Sequence, residues 1–322
     1  MSESYVGVDV GGTKIAVATL REGELSEPRA EPTATGGTDA LLDAIAAGVE
    51  RVRDASSCAV GIGVPSVVDF EAGAARTSVN VPLRDVPLRK LLGKRLGLPV
   101  FVDNDATLAA FAEAHDGDEL VARNLVMLTV GTGVGGGLVI DGRPYRGATG
   151  AAGELGHTLI GLRLDEGIPE PGGFPQDGSL ESLAAGSALD RLAGQAASEH
   201  PDSALGSRRE RGQEVGGADV VEAARGGDEV AVGLLERLGA RLGIGIANAI
   251  NTFDPEVVAI GGGVSAAGDL LLEPARRTAW EYVLPGVGTR TEIRLSRHGY
   301  QAGVLGAALL AKREMQRRKE AG

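Results

Sequence analysis

Asp105 closes the text Asp103-Asn104-Asp105, directly after the apolar run Val100-Phe101-Val102. A carboxylate where a strand meets a helix lies at the rim of a sheet, the place where α/β proteins bind ligands. There it can take a proton from a hydroxyl or cap the helix that follows. One of Asp103 and Asp105 is expected to cap and the other to work. Two glycine turns carry a second chemistry. Gly131-Thr132-Gly133, followed by Gly135-Gly136-Gly137, lies between the apolar runs Leu125–Val130 and Leu138-Val139-Ile140. Gly11-Gly12-Thr13 lies between Val6-Gly7-Val8-Asp9-Val10 and Ile15-Ala16-Val17-Ala18. Bare backbone at a strand end can aim several N–H donors into one concavity and wrap an anionic group. The alternative is a glycine hairpin that only needs positive φ. Asp9 suits a hydrated Mg²⁺, which keeps its waters and takes few carboxylates; the alternative is a turn aspartate bonding its own backbone. Lys14 is either a phosphate contact or a solvated end. Glu154 and His157, three apart, share a face on a helix or turn, and a carboxylate beside an imidazole can bracket neighbouring hydroxyls.

The two glycine turns repeat one pattern of strand, turn and strand, and each opens an α/β unit. A repeat of this length implies two related domains facing each other across a cleft, with a phosphate chain between the turns. Helical spacing predicts helices over 39–53, with Thr38 as its N-cap, and over 87–96, 106–114, 180–193, 219–224, 229–251, 267–282 and 304–318. Strands are expected over 58–64, 99–102, 256–260 and 292–295. The segment 256–260 runs into Gly261-Gly262-Gly263, a turn suited to the adenosine side of a nucleotide. The stretch 76–83 reads as polar loop and 194–217 as surface loop or frayed helix. The polar break 116–124 is a domain boundary, giving an N-terminal α/β domain over 1–118 and a larger C-terminal one over 119–302.

At 322 residues and 43% hydrophobic content the chain has room for two cored domains. Aromatic residues make up 3% and the net charge is −12, which argues against a nucleic-acid surface. Cys58 is the only cysteine, so no internal disulfide forms; it falls in an apolar run and is expected to be a buried small hydrophobe. The N-terminus shows no signal peptide and no run approaches membrane-spanning length, so a cytoplasmic protein without a membrane partner is expected.

Taken in order, DVGGTK at Asp9–Lys14, VDNDA at Val102–Ala106, LTVGTGVGGG at Leu128–Gly137, GELGH at Gly153–His157 and IGGGVS at Ile260–Ser265 resemble the motif series of the ROK family of sugar kinases, within the actin/hexokinase ATPase-fold superfamily. The resemblance covers nearly the whole chain. It implies two actin-like, ribonuclease H-like domains, a C-terminal helix over about 303–319 returning to the N-terminal domain, and a homodimer. It implies ATP with Mg²⁺ as cofactor, Asp105 as general base, and a hexose bound by Asn104, Glu154, His157 and Glu181. Asp9, Gly11, Gly12, Thr13, Lys14, Gly131, Thr132, Gly133, Gly261, Gly262 and Gly263 would serve the nucleotide and its hydrated Mg²⁺. Ser66 stands where the family usually has a glycine approached by the sugar. Asn80, before Val81-Pro82, matches an Asn-x-Pro near the sugar or is a turn asparagine.

One segment departs from the family. After the histidine, ROK proteins usually carry three cysteines that bind structural zinc with it. Those positions read Gly172, Phe174 and Ser179 here, and none replaces a thiolate. No zinc site is expected, and the loop 167–178 must be held by packing, with Phe174 as the candidate. The implied activity is transfer of phosphate from ATP to the 6-hydroxyl of a hexose, glucose first, with N-acetylmannosamine, N-acetylglucosamine and fructose as alternatives and polyphosphate as an alternative donor. The family also contains sugar-responsive repressors with an N-terminal helix-turn-helix domain, for which the early first strand leaves no room. A non-catalytic sugar-binding protein is the third reading, opposed by Asp105 and both phosphate turns.

Overall fold

The computed structural model describes residues 2–78, 80–162, 164–165, 167–168 and 170–321. In chain order the elements are β1 (Ser4–Val10), β2 (Lys14–Arg21), β3 (Glu24–Leu25), β4 (Arg29–Pro32), α1 (Thr38–Val52), β5 (Ser57–Val64), β6 (Val67–Asp69), β7 (Ala74–Thr77), β8 (Arg84–Val86), α2 (Leu88–Leu96), β9 (Val100–Asn104), α3 (Asp105–Glu113), β10 (His115–Asp116), β11 (Glu119–Leu120), β12 (Leu125–Val130), β13 (Val134–Ile140) and β14 (Arg143–Pro144). A 3-10 turn at Leu155–His157 precedes α4 (Leu180–Ala184), α5 (Gly186–Glu199), α6 (Ala204–Glu210), α7 (Gly217–Arg225) and α8 (Glu229–Phe253). Then come β15 (Val257–Gly261), a 3-10 turn at Gly263–Ala267, α9 (Asp269–Tyr282), β16 (Glu292–Leu295) and α10 (Ala302–Ala321). The chain forms two compact units, Met1–Met127 with Gly137–Gly153 and Arg297–Gly322, and Leu128–Gly136 with Glu154–Ser296. Among the described residues no helix is long and apolar enough to cross a membrane.

The first unit is built on a sheet of order β3-β2-β1-β5-β9, with β4 also paired to β2. β1 and β2 are antiparallel, as the Gly11-Gly12-Thr13 turn requires, whereas β5 and β9 run parallel to β1. Alternation along β1 sends Val6, Val8 and Val10 to one face, where they meet Leu41, Leu42 and Ile45 of α1 and Leu88 and Leu92 of α2. Tyr5 faces the other way and clusters with Phe101, Leu108, Ala307 and Leu310. The C-terminal helix α10 therefore covers the second face of this sheet, as the resemblance implied. It approaches so closely that a Cβ at Gly61 would meet the Ala307 carbonyl and one at Gly7 the Val304 carbonyl. The small antiparallel sheet β6-β7-β8 and the hairpin β10-β11 also belong to this unit.

The second large sheet has order β14-β13-β12-β15-β16, its centre being the hairpin read from the glycine turn. In the second unit the 25-residue α8 buries Leu235, Leu238, Leu242 and Ile246. Gly239 and Gly243 on α8 leave space for the backbone of α9 at Leu271 and Ala275.

Several expectations are corrected. The helix over 180–193 is two helices broken at Ala185, whose ψ of 168° is extended. The stretch 194–217 holds the end of α5 and all of α6, because Leu205 is fully buried and Ser203 caps the helix through Gly206 N–H. Gly37, not Thr38, is the N-cap of α1; Thr38 lies in the first turn and donates to the Pro82 carbonyl at 2.7 Å. The stretch 76–83 begins inside β7, and its Val79 lies outside the described residues. The polar break 116–124 carries the hairpin β10-β11. Cys58 is half-buried at the start of β5, its thiol against the Ser56 carbonyl, since the buried end of that strand begins one residue later.

Candidate active site

In the first unit the chemistry gathers at the carboxyl ends of the parallel strands. Asp9 on β1 pairs in register with Gly63 on β5, and Gly63 with Asp103 on β9. This is the side of a parallel sheet where ligands bind. Asn104, and neither aspartate, caps α3: its Oδ1 accepts the Thr107 N–H at 3.0 Å. The expected division of labour between Asp103 and Asp105 is thereby corrected. Asp103 is buried, accepts Nε of Arg146 at 2.8 Å and the Asn104 N–H at 3.0 Å, and ties down the end of β9. Arg146 in turn stacks 3.6 Å from the Phe70 ring centroid. No short-range pattern in the sequence links 146 to 103.

Asp105, the first residue of α3, accepts from Ala106 N–H at 2.9 Å and from Asn104 Nδ2 at 3.0 Å. Burial raises its pKa above the usual carboxylate range, with the Ala106 and Asn104 donors pulling the other way. Asp9 is pushed up to about 7, first by burial, then by the Asp105 charge, with Lys14 opposing both. Asn104 Nδ2 also reaches the Ser66 carbonyl at 3.3 Å. The Ser66 hydroxyl is turned inward, 2.7 Å from the Thr77 carbonyl. Asn80 is exposed and lies beside the first glycine turn, its Cβ 3.2 Å from where Gly12 would carry one.

That turn has its carbonyls engaged. Gly11 O accepts Thr33 Oγ1 at 2.7 Å and Thr13 O accepts the Thr33 N–H at 3.0 Å. In a trans peptide the N–H points opposite to the preceding C=O, so the Gly12 and Lys14 amides face away from Thr33. Lys14 Nζ lies 5.9 Å from the Tyr300 ring centroid.

In the second unit the Gly131–Gly133 turn follows the same logic. Gly131 O accepts the Gly186 N–H at 2.7 Å and Thr132 O the Ser187 N–H at 3.4 Å, which turns the Thr132 and Gly133 amides the other way. Glu181 also belongs to this turn: its Oε2 accepts the Val134 N–H at 2.7 Å, and a Cβ at Gly133 would strike it. Gly262, at φ 85°, presses on the Val130 carbonyl where no side chain fits, and its own carbonyl takes Ser265 Oγ at 2.7 Å. Gly261 ends β15, while a Cβ at Gly263 would meet open space. Glu154 and His157 share a face across the 3-10 turn, with Oε2 and Nε2 3.8 Å apart. His157 Nδ1 is buried, with no hydrogen-bond partner among the described residues. Phe174 meets the His157 ring edge-on at 5.5 Å but remains 78% exposed, so burial of this ring does not hold the loop as expected. Gln176 closes the loop on Gly172 instead, through two 2.9 Å bonds. Pro169 of this loop lies outside the described residues.

Sheets of this order, each with a bare glycine hairpin beside parallel strands and the first covered by the C-terminal helix, define an α/β protein of the actin-like ATPase fold. The chain belongs to the ROK family, whose profile matches residues 5–314. It is 37% identical to a glucokinase of Halalkalibacterium halodurans, over 96% of this chain and 95% of that protein. It is 36% identical to a glucokinase of Streptomyces coelicolor, over 95% and 97%. A ROK glucokinase of Streptomyces griseus, solved in complex with glucose and AMPPNP, superposes with a TM-score of 0.80 at 34% identity, covering 96% of this chain and 99% of that one. This protein is a sugar kinase of that family.

Proposed function

We propose that this chain transfers the γ-phosphoryl group of ATP to the 6-hydroxyl of glucose, with Asp105 as general base. The observation that carries the reading is Asp105 itself: a carboxylate with raised pKa at the carboxyl end of β9, in a chain aligned end to end with glucokinases. A sugar hydroxyl is a poor nucleophile near neutral pH, and phosphoryl transfer depends on positioning, charge neutralisation and a base for the hydroxyl proton. A carboxylate more basic than usual suits that task. Asn104 Nδ2 orients the Asp105 carboxylate, and Asn104, Glu154 and His157 are assigned to sugar hydroxyls. Glu181 is assigned to the sugar as well, with its second oxygen left over from the Val134 bond.

The outward amides of Gly12 and Lys14 in one turn, and of Thr132 and Gly133 in the other, fit phosphate oxygens. Gly263 leaves open space beside a turn assigned to the adenosine. Asp9, near the end of β1 beside the first glycine turn, fits a divalent cation that keeps its water shell. When bound, Mg²⁺ supplies charge neutralisation to the phosphates. A cytoplasmic homodimer completes the reading. Family membership supports the pairing, and a single cysteine in 322 residues suits a reducing compartment.

An assay coupled to ADP release, run with glucose, N-acetylglucosamine, N-acetylmannosamine and fructose, tests the assignment. Glucose with Mg·ATP should give the highest kcat/KM. A preferred amino sugar would change the substrate; replacement of ATP by polyphosphate would change the donor. ADP release with none of the sugars would favour a regulator over an enzyme.

A further inference from the structure

The break at Ala185 exchanges four hydrogen bonds, and the exchange identifies two arginines outside every motif. In an unbroken helix Gly186 N–H would donate to Ser182 O, and Ser187 N–H to Leu183 O. Here both amides leave the helix and donate to Gly131 O and Thr132 O of the glycine turn. The abandoned carbonyls are taken by guanidinium groups. Arg191 Nη2 donates to Ser182 O at 2.6 Å, and Arg241 Nη1 donates to Leu183 O at 3.0 Å. Arg191 Nη1 also reaches Ser187 O at 3.2 Å, across the break.

We propose that Arg191 and Arg241 are positioning residues for nucleotide binding, acting through the α4–α5 break on the peptide planes of the Gly131–Gly133 turn. The inference rests on reading that turn as a phosphate cradle. Without the two guanidinium donors, Ser182 O and Leu183 O would recover their helical partners, and the amides of Gly186 and Ser187 would leave the turn. The turn's carbonyls would then be free to rotate outward, replacing N–H donors by C=O dipoles where an anion must bind. Both arginines are suited to the task because neither forms an ion pair among the described residues. Their charge is directed at the C-terminal carbonyls of α4, the negative end of that helix. Arg241 comes from α8, so the long buried helix is the fixed support against which the break is held.

Titration calorimetry of the full chain with Mg·AMPPNP, and separately with glucose, tests this on wild type, Arg191→Ala, Arg241→Ala, the double variant and the two lysine variants. Each alanine variant should bind Mg·AMPPNP about tenfold more weakly, the range expected for one charge-assisted hydrogen bond. Glucose affinity should stay within about twofold of wild type, a margin well under one such bond. Lysine, which can still donate to one carbonyl, should restore part of the loss at Arg241 and less at Arg191, which spans two. Amide hydrogen exchange at Gly186 and Ser187 reports the break directly, and the protection of both should change in the double variant. Unchanged protection there would remove the route through the break and overturn the inference. Unchanged Mg·AMPPNP affinity in the double variant would overturn it too, as would equal losses for glucose and nucleotide, which signal general destabilisation. Wild type that binds glucose but no Mg·AMPPNP would overturn the cradle reading itself, a result distinct from the others.

Discussion

Asp9 and Asp105 flank Gly63: a Cβ at that glycine would sit 3.7 Å from Asp9 Oδ1 and 3.6 Å from Asp105 Cα. Burial, and after it the neighbouring Asp105 charge, disfavour the ionised form of Asp9 and push its pKa up to about 7, against an ordinary value of 3.8. The folded state binds this proton more tightly than the unfolded one, so the contribution to stability is fully present below pH 3.8 and is lost as pH rises to about 7. In ligand-free protein Asp9→Asn should remove that decline. Its melting temperature relative to wild type should be higher at pH 8 than at pH 5, by about 2–4 °C for each kcal/mol relieved. Thermal melts across pH check this, and parallel curves for the two proteins would refute it.

Asp105→Asn should fold normally and keep its bond to the Ala106 N–H, yet lose the proton acceptor. kcat should fall about 10²–10⁴-fold, the usual worth of a general base. Near-full kcat in a variant of unchanged circular dichroism would remove Asp105 from the chemistry.

Glu154→Ala and His157→Ala should raise the hexose KM with little effect on that for ATP. Glu181→Ala should raise both, because the same carboxylate holds the Val134 N–H at the glycine turn. Steady-state kinetics with each substrate varied in turn separate the two patterns. An effect of Glu181→Ala on the hexose alone would show that its bond to the turn is incidental.

The protein should purify without stoichiometric zinc, and its activity should survive a zinc-selective chelator with Mg²⁺ in excess. The family's thiolate positions hold Gly172, Phe174 and Ser179, and Ser179 instead caps α4 through the Ser182 N–H. Elemental analysis showing one zinc per chain, with activity lost on its removal, would overturn this.

Gly61→Ala should destabilise the fold by about 1–3 kcal/mol or more, the range for overpacking. The new methyl would meet the Ala307 backbone carbonyl, so either α10 or β5 must shift. Chemical denaturation measures the loss; wild-type stability would mean that α10 yields freely.

The glycine turns, the strand leading into Asp105 and the ordered motifs were legible in the sequence because each is a local pattern. Turn geometry, apolar alternation and strand-to-helix junctions are set by neighbours along the chain. The packing of α10 on the first sheet followed from the family resemblance. What each polar group bonds was decided only in three dimensions. Asn104 took the cap that an aspartate was expected to provide, because Asp103 was claimed by Arg146, 43 residues away. The helix over 180–193 broke at Ala185 although most of its residues favour a helix. Local propensity favours continuing the helix. The carbonyls of Gly131 and Thr132, brought near by the sheet, offer Gly186 and Ser187 other partners, and Arg191 and Arg241 satisfy the carbonyls left behind. Ala185-Gly186-Ser187 is a weak stop signal by itself. Tertiary hydrogen bonding made it a break, because every buried backbone donor and acceptor must find a partner and the sequence does not say which.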